Sequence, residues 1–283
     1  MKRYETPTAL RRALEDRLMA AVKRGGGDLQ RMRRQAAFDR LLCRLFHKPD
    51  APWLLKGGYA MELRIQAART TRDVDLAIRH LPSKKWDNDV IRGLLETASS
   101  VDLKDGFEFT IGAPTMDLDA APYGGSRFPV EAQMAGRRFA SFHLDVSAGD
   151  VLREPFEILE GQDWMGFAGI AKARMPAISR EEQFAEKLHA YTLPRTGRPN
   201  TRVKDLVDMV LLFDSGKMDQ ARLAENIKAT FRRRGTHDVP TSLPPPQASW
   251  ETTFAEMAAE CGLDKNMVEH HRRLADFLVA VLK

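Results

Sequence analysis

The first part of the chain has the apolar spacing of two helices. Leucines recur at helical intervals from Leu10 to Leu18, which predicts a helix that Thr6 caps and that the glycine run 25–27 ends. The same spacing predicts a second helix over residues 29–46. We therefore expect the fold to begin with two helices.

The middle of the chain alternates between short strand patterns and short helical ones. Apolar or alternating runs bounded by Gly and Pro predict strands, and the longer segments between them have helical spacing. The predicted strands are 53–56, 73–78, 107–111, 130–134 and 139–146, of which the last two form a hairpin joined near Ala135-Gly136. The predicted helices are 59–66 and 86–98.

After about residue 165 the pattern is helical again. Ser179-Arg180-Glu181-Glu182 has the sequence of a capping box, which predicts the start of a helix. A loop over 194–200 separates it from a strongly apolar helix, and a proline-rich run over 239–247 precedes two terminal helices.

Length and element order predict an α+β protein of two domains. The chain has 283 residues, of which 43% are hydrophobic and 29% charged, as in an ordinary globular protein. Two helices, a mixed α/β core and a helical half follow one another. We expect one domain over 1–165 and a helical C-terminal domain over 166–283.

Localisation is indicated by what the sequence lacks. No apolar run is long enough to span a bilayer, and residues 1–5 lack the apolar core of a signal peptide. Cys43 and Cys261 have no metal-ligand spacing and are expected to be buried thiols. We expect a cytoplasmic protein with no membrane partner.

The charge distribution bears on the kind of partner. The net charge is +5 and the pI is near 9.2. Cationic side chains cluster at 31–34, 137–138, 232–234 and 270–273. Each cluster alone is typical of a solvated helix or turn, whereas clusters of this kind can also follow a phosphate backbone.

The candidate chemistry lies between residues 56 and 75. Gly57-Gly58 closes an apolar strand, and Asp73 and Asp75 flank one apolar residue of the next predicted strand. Residues two apart on a strand point to the same face, so the two carboxylates lie side by side. Carboxylates beside a glycine turn with free N–H groups suit Mg²⁺ and a nucleoside triphosphate. The pattern predicts a nucleotidyltransferase.

A third carboxylate is expected from a neighbouring strand. Transfer of a nucleotidyl group needs metal ions at the attacking and leaving oxygens, about 3.5–4 Å apart. Asp145, near the end of a predicted strand, is the best candidate for the third metal ligand or for the base. The plain alternative for an isolated Asp-x-Asp is a pair of solvated edge residues.

The order of five motifs resembles the AbiEii/AbiGii toxin family, which includes the MenT-type toxins. The motifs are Lys56-Gly57-Gly58, Arg69-x-Thr71-x-Asp73-Val74-Asp75, the strand aspartate Asp145, Glu186-Lys187-Leu188 and Arg202-x-Lys204-Asp205-x-x-Asp208. The resemblance covers residues 53–213. It implies a minimal nucleotidyltransferase fold, similar to that of polymerase beta, joined to a helical C-terminal half.

The resemblance also implies a function. It implies a nucleoside triphosphate, Mg²⁺ and an antitoxin partner, and several members resemble enzymes that add nucleotides to the 3′ end of tRNA and so stop translation. CTP is the favoured triphosphate. Transfer to a protein hydroxyl (AMPylation) or to a small molecule such as an aminoglycoside is the alternative.

By position in the motifs, Lys187 would contact the triphosphate and Asp205 would complete the catalytic site. Lys56, Gly57 and Gly58 would bind the nucleotide, while Arg69 and Thr71 would orient the phosphates or brace the aspartate strand.

Several of these residues have plainer alternatives. Lys187 could be a helix lysine with a packed stem, Asp205 could pair with Arg202 or Lys204, and Arg69 could pair with Glu62. His143 is expected to pack on the opposite face of its strand.

Tyr59 is a departure from the family, which often has Ser or Thr directly after the glycine pair. The Tyr59 hydroxyl is too distant to imitate a short phosphate contact, so phosphate binding there would rest on backbone N–H groups.

Overall fold

The structure, a computed structural model, describes residues 4–25, 27–65, 68–81, 85–118, 121–195, 197 and 199–283. The helices are α1 (Pro7–Gly25), α2 (Leu29–Leu45), α3 (Gly57–Arg64), α4 (Asn88–Ser99), α5 (Arg180–Thr192), α6 (Val203–Asp214), α7 (Gln220–Arg234), α8 (Glu251–Glu260) and α9 (Met267–Leu282). The strands are β1 (Trp53–Lys56), β2 (Asp73–Ile78), β3 (Phe107–Ile111), β4 (Met116–Asp117), β5 (Gly125–Met134), β6 (Arg137–Ala148), β7 (Glu157–Glu160) and β8 (Arg174–Ala177). The predicted α+β class is confirmed.

One mixed sheet carries the strands. Its order is β3-β5-β6-β2-β1-β8-β7, and β4 pairs with β5. At the centre, β2 lies antiparallel to β1 and parallel to β6. The predicted carboxylates therefore lie on two adjoining strands, β2 and β6, each of which has a neighbouring strand on both sides.

The predicted hairpin is confirmed as β5 and β6. Ala135 and Gly136 both have positive φ, 55° and 67°, as a two-residue type I′ turn requires. Arg11 of α1 donates to the carbonyl oxygens of Met134 and Arg137, both at 2.7 Å, which holds the turn against α1. β5 starts at residue 125, earlier than the predicted 130. The prediction missed the first residues of the strand because a glycine and a proline interrupt its apolar alternation.

The prediction that the chain is helical after residue 165 is wrong at β8. This strand pairs with β1 in parallel, through Leu55 and Ala177. Four residues are too few to show an alternating pattern, and Pro176 argues locally against a strand. β8 is a strand because the sheet offers it a partner.

Some residues predicted at the ends of α3 and α1 lie outside the described residues. α3 begins at Gly57, before the predicted start at residue 59, and its predicted end at Gln66 lies outside the described residues. Gly26 of the predicted glycine stop lies outside them as well, while α1 ends at Gly25 as expected.

The chain divides into two compact units. The first comprises Met1–Leu63, Thr70–Gly149 and Ile158–Ala177; the second comprises Arg64–Arg69, Asp150–Glu157 and Ile178–Lys283. The division crosses the chain at several points, whereas the sequence predicts a single boundary after residue 165. That single boundary stays a prediction.

The second unit is built from α5 to α9. The predicted capping box is confirmed: the Glu182 N–H donates to the Ser179 hydroxyl at 3.2 Å, and the Ser179 N–H donates to the Glu182 carboxylate at 2.9 Å. α5 packs against α6 and α7, and the two predicted terminal helices follow the proline-rich run. None of the helices that the structure describes has both the length and the apolar character needed to cross a membrane.

A buried carboxylate joins α2 to the rest of the first unit. Asp39 accepts hydrogen bonds from the Tyr59 hydroxyl at 2.6 Å, and from the Gln162 N–H and the Trp164 indole N–H, both at 2.9 Å. Burial raises the pKa of Asp39 from 3.8 to about 6, since the three hydrogen bonds only partly oppose the loss of solvation.

This raised pKa predicts a pH-dependent stability. The folded state holds the Asp39 proton more tightly than the unfolded state, so its contribution is complete below about pH 4 and is lost as the pH rises through about 6. This difference between the pKa of Asp39 in the unfolded and in the folded state corresponds to about 3 kcal/mol of folding free energy. We expect Asp39→Asn to lack this loss when the free energy of unfolding is measured by urea denaturation from pH 4 to 7. Its amide oxygen can accept from the Gln162 and Trp164 N–H groups, and its amide N–H can donate to the Tyr59 hydroxyl oxygen.

The matched control is Asp16→Asn, which changes an exposed carboxyl of α1. Its unfolding profile should follow that of the unchanged protein at every pH. If the unfolding free energies of Asp39→Asn and of the unchanged protein had the same pH dependence, ionisation of Asp39 would not destabilise the fold and the prediction would be contradicted.

Candidate active site

The three predicted metal carboxylates share one face of two adjoining strands. In the parallel pairing of β2 with β6, Asp73 lies opposite His143 and Asp75 lies opposite Asp145. Alternate residues of a strand point to the same face, so these four side chains lie together. The intervening residues, which are Val74, Leu76, Leu144 and Val146, are buried in the core.

The expectation that His143 packs on the opposite face is wrong. Its Nδ1 lies 3.2 Å from the Asp73 Oδ1, and its side chain is 46% exposed. His143 is two residues from Asp145 on the same strand, and this spacing places both on the carboxylate face. His143 is therefore a member of the site.

Arg127 is the site residue that the sequence pattern does not mark. It lies opposite Asp145 in the pairing of β5 with β6 and forms a bidentate ion pair with that carboxylate, with N–O distances of 2.7 and 2.8 Å. Its other contact is with Asp73, at 3.3 Å. The hydrogen bonds that Arg127 donates to Asp145 raise the pKa of Arg127 above its usual range. The hairpin register, extended back from residue 130, is the signal that would have found it.

The glycine turn approaches the carboxylates closely enough to exclude any other residue. Gly57 has a φ of +63°, and a Cβ there would stand 2.0 Å from the Asp75 Oδ2. A Cβ on Gly58 would stand 2.7 Å from the Thr71 hydroxyl. The Gly58 N–H donates to the Asp75 Oδ2 at 3.3 Å, and Lys56 lies opposite Asp75 in the pairing of β1 with β2. The predicted Lys-Gly-Gly motif therefore flanks Asp75.

Thr71 braces the aspartate strand. Its hydroxyl donates to the Asp73 carbonyl oxygen at 3.2 Å, and its N–H donates to the Glu62 carboxylate. Glu62 also accepts from Gln35 at 2.6 Å. The suggested structural salt bridge of Arg69 is present, and its partner is Asp208, with which the guanidinium forms a bidentate pair.

The Tyr59 side chain packs inside the core. Its ring is buried against Phe38, with ring centroids 5.0 Å apart, and its hydroxyl donates to Asp39. The hydroxyl is therefore used inside the core, and the backbone N–H groups at the start of α3 are the donors that this corner presents to a phosphate.

The other predicted site residues form an ion-pair cluster in the second unit. The Lys187 Nζ lies 3.1 Å from the Asp205 Oδ1 and 2.8 Å from the Asp208 Oδ2. Arg69 pairs with Asp208, and Arg202 contacts Asp205. Both carboxylates are at most 1% exposed. The plain alternative, pairing of Asp205 with Arg202, thus holds together with the contact to Lys187.

The two carboxylates of this cluster are satisfied differently. Asp208 accepts well-directed hydrogen bonds from Arg69, whereas the contacts of Asp205 with Lys187 and Arg202 are close in distance but lack hydrogen-bond angles. Burial works against ionisation of Asp208, but the charges of Lys187 and Arg69 outweigh it and lower its pKa. Burial likewise works against the Lys187 charge, and the two carboxylates raise the pKa of Lys187 in spite of it.

The carboxylates of the first unit are donors of the right type for a divalent cation, but they are arranged around Arg127. Hard cations take carboxylate oxygens. Within the described ranges, no three His, Cys, Asp or Glu side chains are drawn together tightly enough to form a metal site. The positive group that contacts Asp73 and Asp145 in this structure is the guanidinium.

The fold is similar to that of a solved toxin structure. The structure matches MenT4, a nucleotidyltransferase toxin from Mycobacterium tuberculosis, with a TM-score of 0.52 and 19% sequence identity, over 99% of this chain and 100% of that chain. A structure from H. pylori aligns at 16% identity over 95% of this chain and 93% of its own, but its TM-score of 0.42 supports no inference. No curated protein matches the sequence significantly.

The sequence itself shows the family. The family model for the nucleotidyl transferase AbiEii toxin of type IV toxin–antitoxin systems matches residues 40–278. The chain therefore belongs to the AbiEii family of nucleotidyltransferase toxins, and the resemblance predicted from the motifs is confirmed.

We expect Gly57→Ala to destabilise the protein. The added Cβ would overlap the Asp75 carboxylate and would hold an alanine at positive φ, which costs about 1 kcal/mol or more. Gly93→Ala is the matched control, since Gly93 lies inside α4 with no atom within 4 Å of the added Cβ, and should stabilise the helix by about 0.5–1 kcal/mol. Urea denaturation of both variants gives the comparison, and equal effects would contradict the close approach at Gly57.

We expect Lys187→Met to lower the free energy of unfolding by about 3–5 kcal/mol, because it leaves two buried carboxylates without their shared cation. Lys228→Met, at an exposed position of α7, should change it by less than about 0.5 kcal/mol. Denaturation curves measure both. A stable Lys187→Met protein would mean that the cluster contributes little to folding and would leave Lys187 with a purely functional role.

Proposed function

We propose that this toxin transfers a nucleoside monophosphate from a nucleoside triphosphate, with CTP favoured, to the 3′ end of tRNA and so blocks translation. The observation that carries the proposal is the position of Asp73, Asp75 and Asp145 on one face beside the Gly57-Gly58 turn. This arrangement puts anionic donors and the N–H groups of a helix start next to one another, as transfer from a triphosphate requires.

The three carboxylates would hold Mg²⁺. Their chemistry fits, because all three are hard oxygen ligands. Asp73 and Asp145 already converge on one positive group, the Arg127 guanidinium, whose place a cation would have to take. When bound, Mg²⁺ supplies activation of the acceptor hydroxyl and stabilisation of the leaving pyrophosphate. Arg127 contacts the same carboxylates, so a cation held there would compete with it for Asp145.

The remaining residues of the first unit position the reactants. The N–H groups at the start of α3 receive the triphosphate, together with Lys56, and the hydrogen bond from Gly58 to Asp75 fixes the carboxylate relative to that turn. Thr71 holds the start of β2 in place. His143, hydrogen-bonded to Asp73, orients that carboxylate.

Lys187 and Asp205 are proposed site residues on the basis of their motifs. Their ion pairs also join α5 to α6, so a loss of activity at either position is informative only beside a measurement of stability. Arg69 is committed to Asp208 in this structure, and its proposed role is to hold that carboxylate in place.

The family supplies an antitoxin as partner, and a cytoplasmic location is consistent with a target in translation. The net charge of +5 favours RNA as acceptor over a cationic aminoglycoside. Transfer to a protein hydroxyl is the second acceptor class that the experiment below separates.

We expect Asp75→Asn to reduce transfer of label from an α-labelled nucleoside triphosphate to total RNA by at least about a hundredfold, because it removes charge where the reacting phosphate is stabilised. The measurement is label incorporated into RNA and, in a parallel reaction, into protein.

Glu108→Gln, an exposed carboxyl on β3 of the same sheet, is the matched control and should transfer at the unchanged rate. Transfer by Asp75→Asn at that rate would contradict the site assignment. Label that enters protein and leaves RNA unlabelled would instead establish the second acceptor class.

A further inference from the structure

A pocket of about 480 Å³ opens beside the carboxylates in the first unit. Residues of β5, β6 and α2 line it, and its charged or titratable side chains are Arg34, Arg72, Asp73, Arg127 and His143. Three guanidinium groups thus face one carboxylate. A pocket with this excess of positive charge fits an anion.

Arg34 is the arginine of its cluster that has no carboxylate partner among the described residues. In the cluster 31–34, Arg31 lies 3.6 Å from Glu62 and Arg33 bonds to Glu15 at 2.6 and 2.9 Å. Arg34 forms no ion pair with any described residue, and it lines the pocket. No carboxylate of its own offsets its charge there, so it can pair with an anion that enters the pocket.

Arg72 adds a second guanidinium at the mouth of the pocket. It directly precedes Asp73, is exposed, and pairs with no carboxylate of the described chain. Arg127 is different, because Asp145 holds it in a bidentate pair. Two uncommitted guanidinium groups are well suited to phosphate, which they can bind through paired N–H donors.

The place of the pocket in the sheet indicates which phosphate it takes. The glycine turn follows β1 on one side of β2, whereas the pocket lies along β5 and β6 on the other side. If the triphosphate occupies the glycine turn, the pocket is on the side from which the acceptor hydroxyl approaches.

We propose that Arg34 and Arg72 bind a backbone phosphate of an RNA acceptor close to its 3′ end. This inference rests on the proposed nucleotidyl transfer and names two residues that would hold its RNA acceptor. A polycationic aminoglycoside would be repelled by the same pocket, and a protein hydroxyl brings no obligatory phosphate to it.

The test measures binding without transfer. The probe is a fluorescein-labelled single-stranded oligoribonucleotide with a 3′-deoxy end, and binding is followed by fluorescence anisotropy at several salt concentrations. We expect Arg34→Gln combined with Arg72→Gln to weaken binding by at least about tenfold and to reduce the salt dependence by about 0.7 log units per decade of salt for each lost contact.

The controls separate this inference from the proposed function. Arg24→Gln removes the charge of an exposed arginine at the end of α1 and should leave RNA binding unchanged. Triphosphate binding by the double variant, measured by calorimetry, should also be unchanged. RNA binding that survives in the double variant would overturn the pocket assignment while leaving nucleotidyl transfer intact.

Two other outcomes would also overturn it. Loss of triphosphate binding with retained RNA binding would place the triphosphate in the pocket. An unchanged protein that binds triphosphate but not the RNA probe, and that labels protein, would assign the acceptor to the protein class. Failure of the unchanged protein to bind any triphosphate would instead remove the proposed function itself.

Discussion

Repulsion between carboxylates on adjoining strands is the constraint on which the site depends. The parallel pairing of β2 and β6 places Asp75 beside Asp145, with Asp73 on the same face. Two such charges about 4 Å apart repel by about 4 kcal/mol at an effective dielectric of about 20. Arg127 offsets this by contacting Asp145 and Asp73 together. The sheet can hold this arrangement because β5 presents the arginine in register with Asp145.

The glycine turn and the core behind it are held by the same few residues. Asp75 takes the space in which a side chain on Gly57 would stand and accepts the Gly58 N–H, so the carboxylate and the start of α3 hold each other in position. Tyr59, the next residue, anchors that helix to α2 through Asp39. The anchor carries a cost at neutral pH, because Asp39 is ionised there in a buried place. The hydrogen bond between Asp39 and Tyr59 thus fixes the position of the turn while the buried charge of Asp39 lowers the stability of the fold.

Local pattern predicted the parts of the molecule that depend on nearby residues. The Asp73–Asp75 strand, the glycine turn, the hairpin and the capping box at Ser179 all follow from spacing within a few residues. Arg127 and β8 do not, because each is defined by a partner strand distant in sequence. The ion-pair partner of Arg69 was not predicted either. Several acidic residues of the sequence are possible partners, and only the folded structure shows that Asp208 is the one that pairs with it.

Charge counting and charge pairing lead to different conclusions about ligands. The basic clusters in the sequence suggest a nucleic-acid surface, but neighbours within one cluster have opposite fates. Arg33 is neutralised by Glu15, while Arg34, the next residue, lines a pocket and has no carboxylate partner among the described residues. An arginine already paired must break that pair to bind a phosphate, and the exchange leaves little net gain. An arginine without such a pair gives up nothing when an anion binds, so pairing, rather than net charge, identifies where an anion would bind.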